Sequence, residues 1–271
     1  MRKGLIVSGY KGYIGSYFCK ILKEKGIRLN KFDFNKKRKN FKNFSHFFHF
    51  SFDIDIKKNS LKKNEKRMLE VLNICKKNNI KLIFPSTCTY KYNRNNKRVS
   101  DSILAINRYS KSKIQCERKI INYSKKYDLD YFIFRIFNVY GGNNFNKGVV
   151  SDLINKFRKY KTINLVHSQN SRDFINLDDL SNLFLKSLLI KRSGIFEVGS
   201  GRSISIKKLA TSIKKVFNFD SNLVFIKPFK SSKNTFSKSN IYYTKLVFSW
   251  KPKINLIKGL KRGVITSNDG L

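Results

Sequence analysis

Short apolar runs alternate with amphipathic stretches through the first half of the chain. Residues 5–8 (LIVS), 27–34 (IRLNKFDF), 47–50 (FFHF), 80–86 (IKLIFPS) and 130–141 (DYFIFRIFNVYG) read as strands. Over 14–25, 61–78 and 108–127, apolar residues recur every three or four positions, the spacing of a helix with one buried stripe. Strands alternating with helices predict right-handed βαβ units and hence an α/β fold with a doubly wound parallel sheet. The second half is less regular. Helices are expected over 149–160, 178–190 and 205–217, and extended chain over 162–166, 194–201 and 222–227. The segment 254–265 has a helical apolar face, and the polar stretch 228–240 reads as a surface loop.

Composition sets the outer limits. The chain has 271 residues, 41% of them hydrophobic and 14% aromatic, enough for one large core with a smaller appendage. No run approaches the roughly eighteen apolar residues of a membrane span, so no membrane partner is expected. The first apolar run is too short for a signal peptide and a glycine turn interrupts it, so the chain reads as cytoplasmic. Cys19, Cys75, Cys88 and Cys116 form no CxxC pair, so neither a metal site nor a disulfide framework is expected. The formal net charge is +41, from 58 Lys+Arg against 17 Asp+Glu. The excess is spread along the chain and travels with abundant Asn, Ile and Phe, which points to compositional bias. A positive surface of this kind binds nucleic acid non-specifically and repels itself.

Candidate chemistry begins at VSGYKGYIGS, residues 7–16, where Gly9, Gly12 and Gly15 lie between a strand and a helix. Glycines let the backbone turn tightly and approach a pyrophosphate, and the helix N-terminus offers it free N–H groups. Asp33 ends the second expected strand. A carboxylate there accepts hydrogen bonds from an adenosine ribose and repels a 2′-phosphate, which favours NAD. The basic NKKRKN that follows, 35–40, leaves NADP open.

A second constellation is RYSKSK, 108–113, with Tyr109 and Lys113 one helical turn apart. The ammonium is expected to favour tyrosinate and lower the pKa of Tyr109 toward the working range, making it a general acid/base. The pair follows FPSTC, 84–88, at a strand end, where open α/β sheets carry their chemistry. Ser86 or Thr87 would hydrogen-bond the substrate oxygen.

These motifs, in this order, resemble an extended short-chain dehydrogenase/reductase of the NAD-dependent epimerase/dehydratase family, which acts on nucleotide sugars. VSGYKGYIGS resembles the family's cofactor loop, and His49, Phe50 and Ser51 its cofactor-lining strand end. Asn64 and MLEVLNICKKNNIKLIFPST (68–87) resemble the helix and strand that carry the catalytic Ser or Thr. RYSKSKIQCE resembles the Tyr-Lys helix with its following Glu, here Glu117. FRIFNVYGG (134–142), SRDFINLDDL (171–180), FEVGSGRSISIKKLA (196–210) and FSWKPKINLIKGLKRGV (248–264) resemble later family segments.

The resemblance implies a Rossmann-type sheet over 1–142 and a smaller C-terminal α/β substrate lobe over 143–271, the two interleaved. It implies NAD held by Gly9, Gly12, Tyr13, Ile14, Gly15, Asp33, Asn35, Ser51 and Lys113. Ser86 and Tyr109 would be the acid/base partners, Asn138 would touch a nucleotide-sugar substrate, and Arg172 would pair with its phosphates. On the residues alone, Asn138 equally ties down a turn, and Arg172 with Asp173 equally forms a structural ion pair. A homodimer built on helices 61–78 and 108–127 is also implied.

Departures from the family bear on the reaction. The cofactor half is trimmed between 35 and 45, where many relatives insert a strand, a helix and an acidic adenine contact. PSTCTY (85–90) resembles the Ser-Ser-Cys-Ile-Tyr of GDP-fucose synthases, making Cys88 a candidate second acid/base beside a packing role. No carboxylate follows the catalytic hydroxyl, which disfavours 4,6-dehydration. Three readings follow: an epimerase or related oxidoreductase working through a transient keto-sugar, an NAD(P)H-dependent 4-keto-sugar reductase, and a non-catalytic cofactor- or RNA-binding relative.

Overall fold

The computed structural model describes residues 4–36, 40–53, 58–92, 103–142, 148–226 and 235–268. In chain order the elements begin β1 (Gly4–Ser8), α1 (Tyr13–Glu24), β2 (Leu29–Phe32), β3 (Phe44–His49), α2 (Lys58–Asn78) and β4 (Lys81–Thr87). A small antiparallel pair follows, β5 (Tyr90–Tyr92) and β6 (Ile103–Ala105), then α3 (Arg108–Tyr127), β7 (Tyr131–Ile136) and β8 (Asn138–Tyr140). The rest is α4 (Val149–Lys159), β9 (Thr162–Val166), β10 (Ser171–Asn176), α5 (Leu177–Ser187), β11 (Gly194–Val198) and β12 (Ser203–Ser205). It closes with α6 (Ile206–Phe217), β13 (Asn222–Ile226), α7 (Tyr242–Phe248) and α8 (Leu256–Asn268).

The chain forms two compact units, one of residues 1–136 with 188–196 and one of 137–187 with 197–271. The first carries a six-stranded sheet in the order β11-β7-β4-β3-β1-β2. Its β1·β2, β1·β3, β3·β4 and β4·β7 pairs are all parallel. The common doubly wound order places another strand outside the second one. Here β2 is the edge, because the segment between β2 and β3 is too short to supply it. The core of this unit is aromatic: Phe18, Phe47, Phe48, Phe84 and Phe132 are fully buried. Each such side chain contributes about 1.5–3 kcal/mol relative to exposure. Phe18 meets Phe48 at 4.8 Å between ring centroids, fastening α1 to the sheet.

The second unit has a three-stranded sheet, β12-β10-β8, and the parallel pair β13·β9. Its core gathers Leu153, Ile154 and Phe157 of α4, Leu209 and Ile213 of α6, and Leu260 of α8. Trp250 is buried and donates its indole N–H to the Asp179 carbonyl at 3.0 Å. The Asp179 carboxylate accepts the backbone N–H groups of Lys253 and Ile254 at 3.0 and 2.8 Å, directing the chain into α8.

Several expectations need correction. The run 130–141 is two strands. Phe137 leaves the first and donates its N–H to Val198 O at 2.9 Å; β7 pairs with β4, and β8 with β10. The second strand is shorter than 27–34, because Asp33 turns the chain by accepting the Asn35 N–H at 3.0 Å. β10 was not anticipated: its polar residues Asp173 and Asn176 are buried, which erases the alternation expected of a half-exposed strand. Residues 37–39 of the basic segment and 228–234 of the expected surface loop lie outside the described residues. Among the described residues no helix is long and apolar enough to cross a membrane, and no His, Cys, Asp or Glu cluster suits a metal ion.

Candidate active site

The turn between β1 and α1 is built by close backbone approach. Gly9 has φ +67°, and a Cβ there would lie 2.4 Å from the Ser51 nitrogen. A Cβ on Gly15 would lie 2.2 Å from the Gly9 carbonyl oxygen. Gly12 caps α1 without a side-chain bond and donates its N–H to Gly9 O at 2.9 Å. Tyr13 and Ile14 open the helix, both half-buried. Burial pushes the Tyr13 phenol up. A side chain on Gly9 or Gly15 would collide with backbone, so glycine is what permits this tight cradle at the start of α1, and the chemistry of a tight turn at a helix N-terminus fits a pyrophosphate. Asp33 stands at the end of β2, half-buried; one carboxylate oxygen accepts the N–H of the exposed Asn35 at 3.0 Å. Ser51 donates its N–H to Ser8 Oγ at 3.4 Å, and that hydroxyl lies 2.8 Å from His49 Nδ1. Burial lowers His49 to about 3, with Lys113 and Arg67 adding to the shift, so its ring is neutral.

The Tyr-Lys helix is fixed at its start. Asn107 caps α3 by accepting the Ser110 N–H at 2.8 Å, and Ser110 Oγ accepts the Asn107 N–H at 3.0 Å. That capping box places Tyr109 in the first turn. Lys113 is buried and donates from Nζ to Pro85 O at 2.7 Å, at the C-terminal end of β4. Its ammonium lies 3.9 Å from the centre of the Phe52 ring and 4.4 Å from that of Phe84. Burial lowers Lys113 to about 7, against the raising influence of Cys116 and Glu117. Tyr109 packs edge-on against Phe52 at 5.8 Å.

The acidity expected of Tyr109 is corrected. Its phenol is pushed up to about 12, by burial first and then by Cys88. Lys113 does not offset this: its Nζ is 6.0 Å from the Tyr109 ring centre and is held by Pro85 O. Cys88, the half-buried residue that follows Thr87 at the end of β4, adds to the upward shift of Tyr109.

Ser86 and Thr87 are both buried. Ser86 Oγ donates to the Glu117 carboxylate, which Arg135 grips with Nη2 at 2.7 Å and Nε at 3.1 Å. Thr87 Oγ1 donates to Thr89 Oγ1 at 2.9 Å and accepts the Thr89 N–H at 3.0 Å. Arg135 was not singled out from the sequence. The available signal was Glu117, a rare carboxylate one turn after Lys113 on the buried face of α3, which required a cation.

The expected substrate residues lie in the second unit. Asn138 donates from Nδ2 to the Asp173 carbonyl at 2.8 Å, and Arg172 donates from Nη1 to Ser171 O at 2.9 Å and Thr235 O at 3.2 Å. The alternative of an Arg172–Asp173 ion pair is not what the carboxylate does. Asp173 accepts the N–H and hydroxyl of Ser200 at 2.7 and 2.6 Å and the N–H of Gly201 at 3.0 Å. It also accepts the N–H and hydroxyl of Ser239 at 3.0 and 2.5 Å.

Comparison with known proteins matches residues 5–199 to the sequence profile of the NAD dependent epimerase/dehydratase family. A candidate UDP-glucose 4-epimerase of Methanocaldococcus jannaschii is 29% identical over 210 residues, covering 72% of this chain and 66% of that protein. The dTDP-4-dehydro-6-deoxyglucose reductase of Escherichia coli is 28% identical over 189 residues, covering 67% of this chain and 60% of that protein. The chain therefore spans less than two thirds of the length of these two relatives. Among solved structures, the UDP-glucose 4-epimerase of Thermotoga maritima with UDP-glucose superposes with a TM-score of 0.82 at 21% identity. That match covers 98% of this chain and 99% of the other, and it establishes a shared fold.

Proposed function

The chain belongs to the NAD dependent epimerase/dehydratase family, and on that premise we propose that it is an NAD-dependent nucleotide-sugar epimerase or a related oxidoreductase acting through a transient keto-sugar. The observation that carries this reading is the meeting of the Tyr-Lys helix with the end of β4, through the Lys113–Pro85 bond, in the unit that also holds the glycine cradle.

Gly9, Gly12 and Gly15 would hold the pyrophosphate of the dinucleotide, with Tyr13 and Ile14 beside it. Asp33 and Asn35 would take the adenosine ribose, and Ser51 and Lys113 the nicotinamide end. When bound, the cofactor supplies a reversible hydride acceptor. Tyr109 moves the proton of the reacting sugar hydroxyl, and Ser86 or Thr87 hydrogen-bonds the same oxygen. For Ser86 that means releasing Glu117, and for Thr87 releasing Thr89. Asn138 and Arg172 orient the nucleotide sugar, the guanidinium matching phosphate oxygens. A domain division near 142, a homodimer and a cytoplasmic setting belong to the same reading and rest on the sequence alone.

The second reading, a keto-sugar reductase, draws on the placement of Cys88 beside Tyr109, where it would serve as a second proton donor. Mass spectrometry of nucleotide released from the denatured protein separates the two. Co-purified NAD with no net cofactor consumption supports the epimerase. An empty site that consumes NADPH supports the reductase, and failure to bind either dinucleotide overturns both. In either case Tyr109→Phe should lower turnover about 10²–10⁴-fold while leaving dinucleotide affinity in place.

A further inference from the structure

The second unit holds a broad groove of about 1530 Å³, larger than the roughly 300–1,000 Å³ of small-molecule pockets. Its walls come from the turn after β11, one side of α6, the chain entering α7, and the segment from Lys251 into α8. Of its 23 lining residues nine are Lys or Arg, and none of those described is Asp or Glu. Lys and Arg make up 58 of the 271 residues of the whole chain, so the groove is nearly twice as basic as composition alone provides. These nine side chains are all exposed. Arg262 pairs with Asp178 at 2.7 Å; among the described residues no other cation of the groove has a carboxylate within 4.0 Å.

An uncompensated wall of like charge is unfavourable until a polyanion lies against it. The groove also contains an aromatic ring facing solvent. Tyr242, at the start of α7, lines it and is 74% exposed, and its neighbour Tyr243 is 50% exposed. Neither Asn138 nor Arg172 lines the groove, although Phe174 and Ile204, neighbours of Arg172 on β10 and β12, do.

We propose that this groove binds single-stranded nucleic acid, with Lys245, Lys251 and Lys258 among the phosphate contacts and Tyr242 stacking on a base. A cationic track with aromatic platforms is the physical signature of single-strand binding. A polyphosphate or an acidic glycan would use the lysines and leave Tyr242 idle.

The test uses the full chain freed of co-purified nucleic acid, with a fluorescent oligouridine of roughly 16 nucleotides read by anisotropy at rising salt. The triple variant K245E/K251E/K258E should bind about tenfold or more weakly and reduce the magnitude of the log–log salt slope by about 2, from about 0.7 per phosphate contact. The triple variant K23E/K62E/K77E makes the same charge change on exposed lysines of the first unit. It should stay within about twofold of the unmodified protein, since none of these three lysines lines the groove. Tyr242→Ala should weaken binding about fivefold or more and leave the salt slope unchanged, because stacking releases no counterions. Unchanged melting temperatures establish that the variants fold. Equal losses in the two triple variants, no loss in Tyr242→Ala, or inorganic polyphosphate competing as well as oligouridine would each overturn the proposal.

Discussion

Glu117 in the first unit and Asp173 in the second are both buried carboxylates, 2% and 0% exposed, and the chain satisfies them by opposite means. Glu117 faces a full positive charge, the Arg135 guanidinium, together with the Ser86 hydroxyl. Among the described residues Asp173 faces only neutral donors, five hydrogen bonds from Ser200, Gly201 and Ser239. A charge pair concentrates its compensation in one partner. A set of neutral donors spreads it over separate segments and ties them together. Accordingly Glu117 ties α3 to two neighbouring strand ends, that of β4 with its candidate catalytic hydroxyl and, through its one charged partner, that of β7. Asp173 staples β10 to the turn after β11 and to the chain entering α7.

The largest effect that can break this comparison comes from removing one partner of the pair. Arg135→Met leaves Glu117 buried without its counterion and should cost about 3–5 kcal/mol, read as a lower urea midpoint. Adding Glu117→Leu to the same chain should recover most of that loss, because the stranded charge is gone.

Asp173→Asn should cost about 1–3 kcal/mol, since the amide keeps one acceptor oxygen but turns donor hydrogens toward donors. No single second substitution should rescue it, because its partners sit on three residues. Rescue by any one change would mean that the hub is in fact a pair.

Protons sharpen the contrast, since among the described residues the buried basic groups with lowered pKa belong to the first unit. His49 is held at about 3 against an ordinary 6.5. Its contribution is fully present above 6.5 and is lost as pH falls toward 3, where the unfolded chain binds the proton first. Lys113 is held at about 7 against an ordinary 10.5, so its contribution is present above 10.5 and lost as pH falls toward 7. Within each window stability should change by about 1.4 kcal/mol per pH unit. Urea midpoints across pH should show both slopes, with His49→Asn removing the lower and Lys113→Met the upper.

The smallest effect concerns the second hydroxyl on β4. Thr87→Val removes a hydrogen bond between neutral groups and should cost about 0.5–1.5 kcal/mol, visible as a small shift in melting temperature. A loss as large as that of Arg135→Met would mean that Thr87, rather than Ser86, is wired into the ionic cluster.

The first unit was largely legible in the sequence. Its strands are continuous apolar runs, because a parallel sheet is covered on both faces, and its helices repeat every three or four residues. The glycine turn and the Tyr-Lys spacing were equally plain, since each depends on residues a few positions apart. The second unit was harder to read. β10 hides a buried Asp and Asn behind a polar sequence, and the run through Phe137 looks like one strand because a change of pairing partner leaves no local trace.

Local chain chemistry accounts for the alternation of elements, the cradle that only glycine permits, the placement of Tyr109 and Lys113 on one helical face, and the family. These are matters of local sterics and short-range periodicity. Tertiary structure alone decided that Ser86 is bound to Glu117, that Arg135 neutralises the pair, that burial raises Tyr109 and lowers Lys113, and that lysines far apart in sequence line one groove. Desolvation and Coulomb interactions depend on distance in space, and the chain brings those groups together only when it folds.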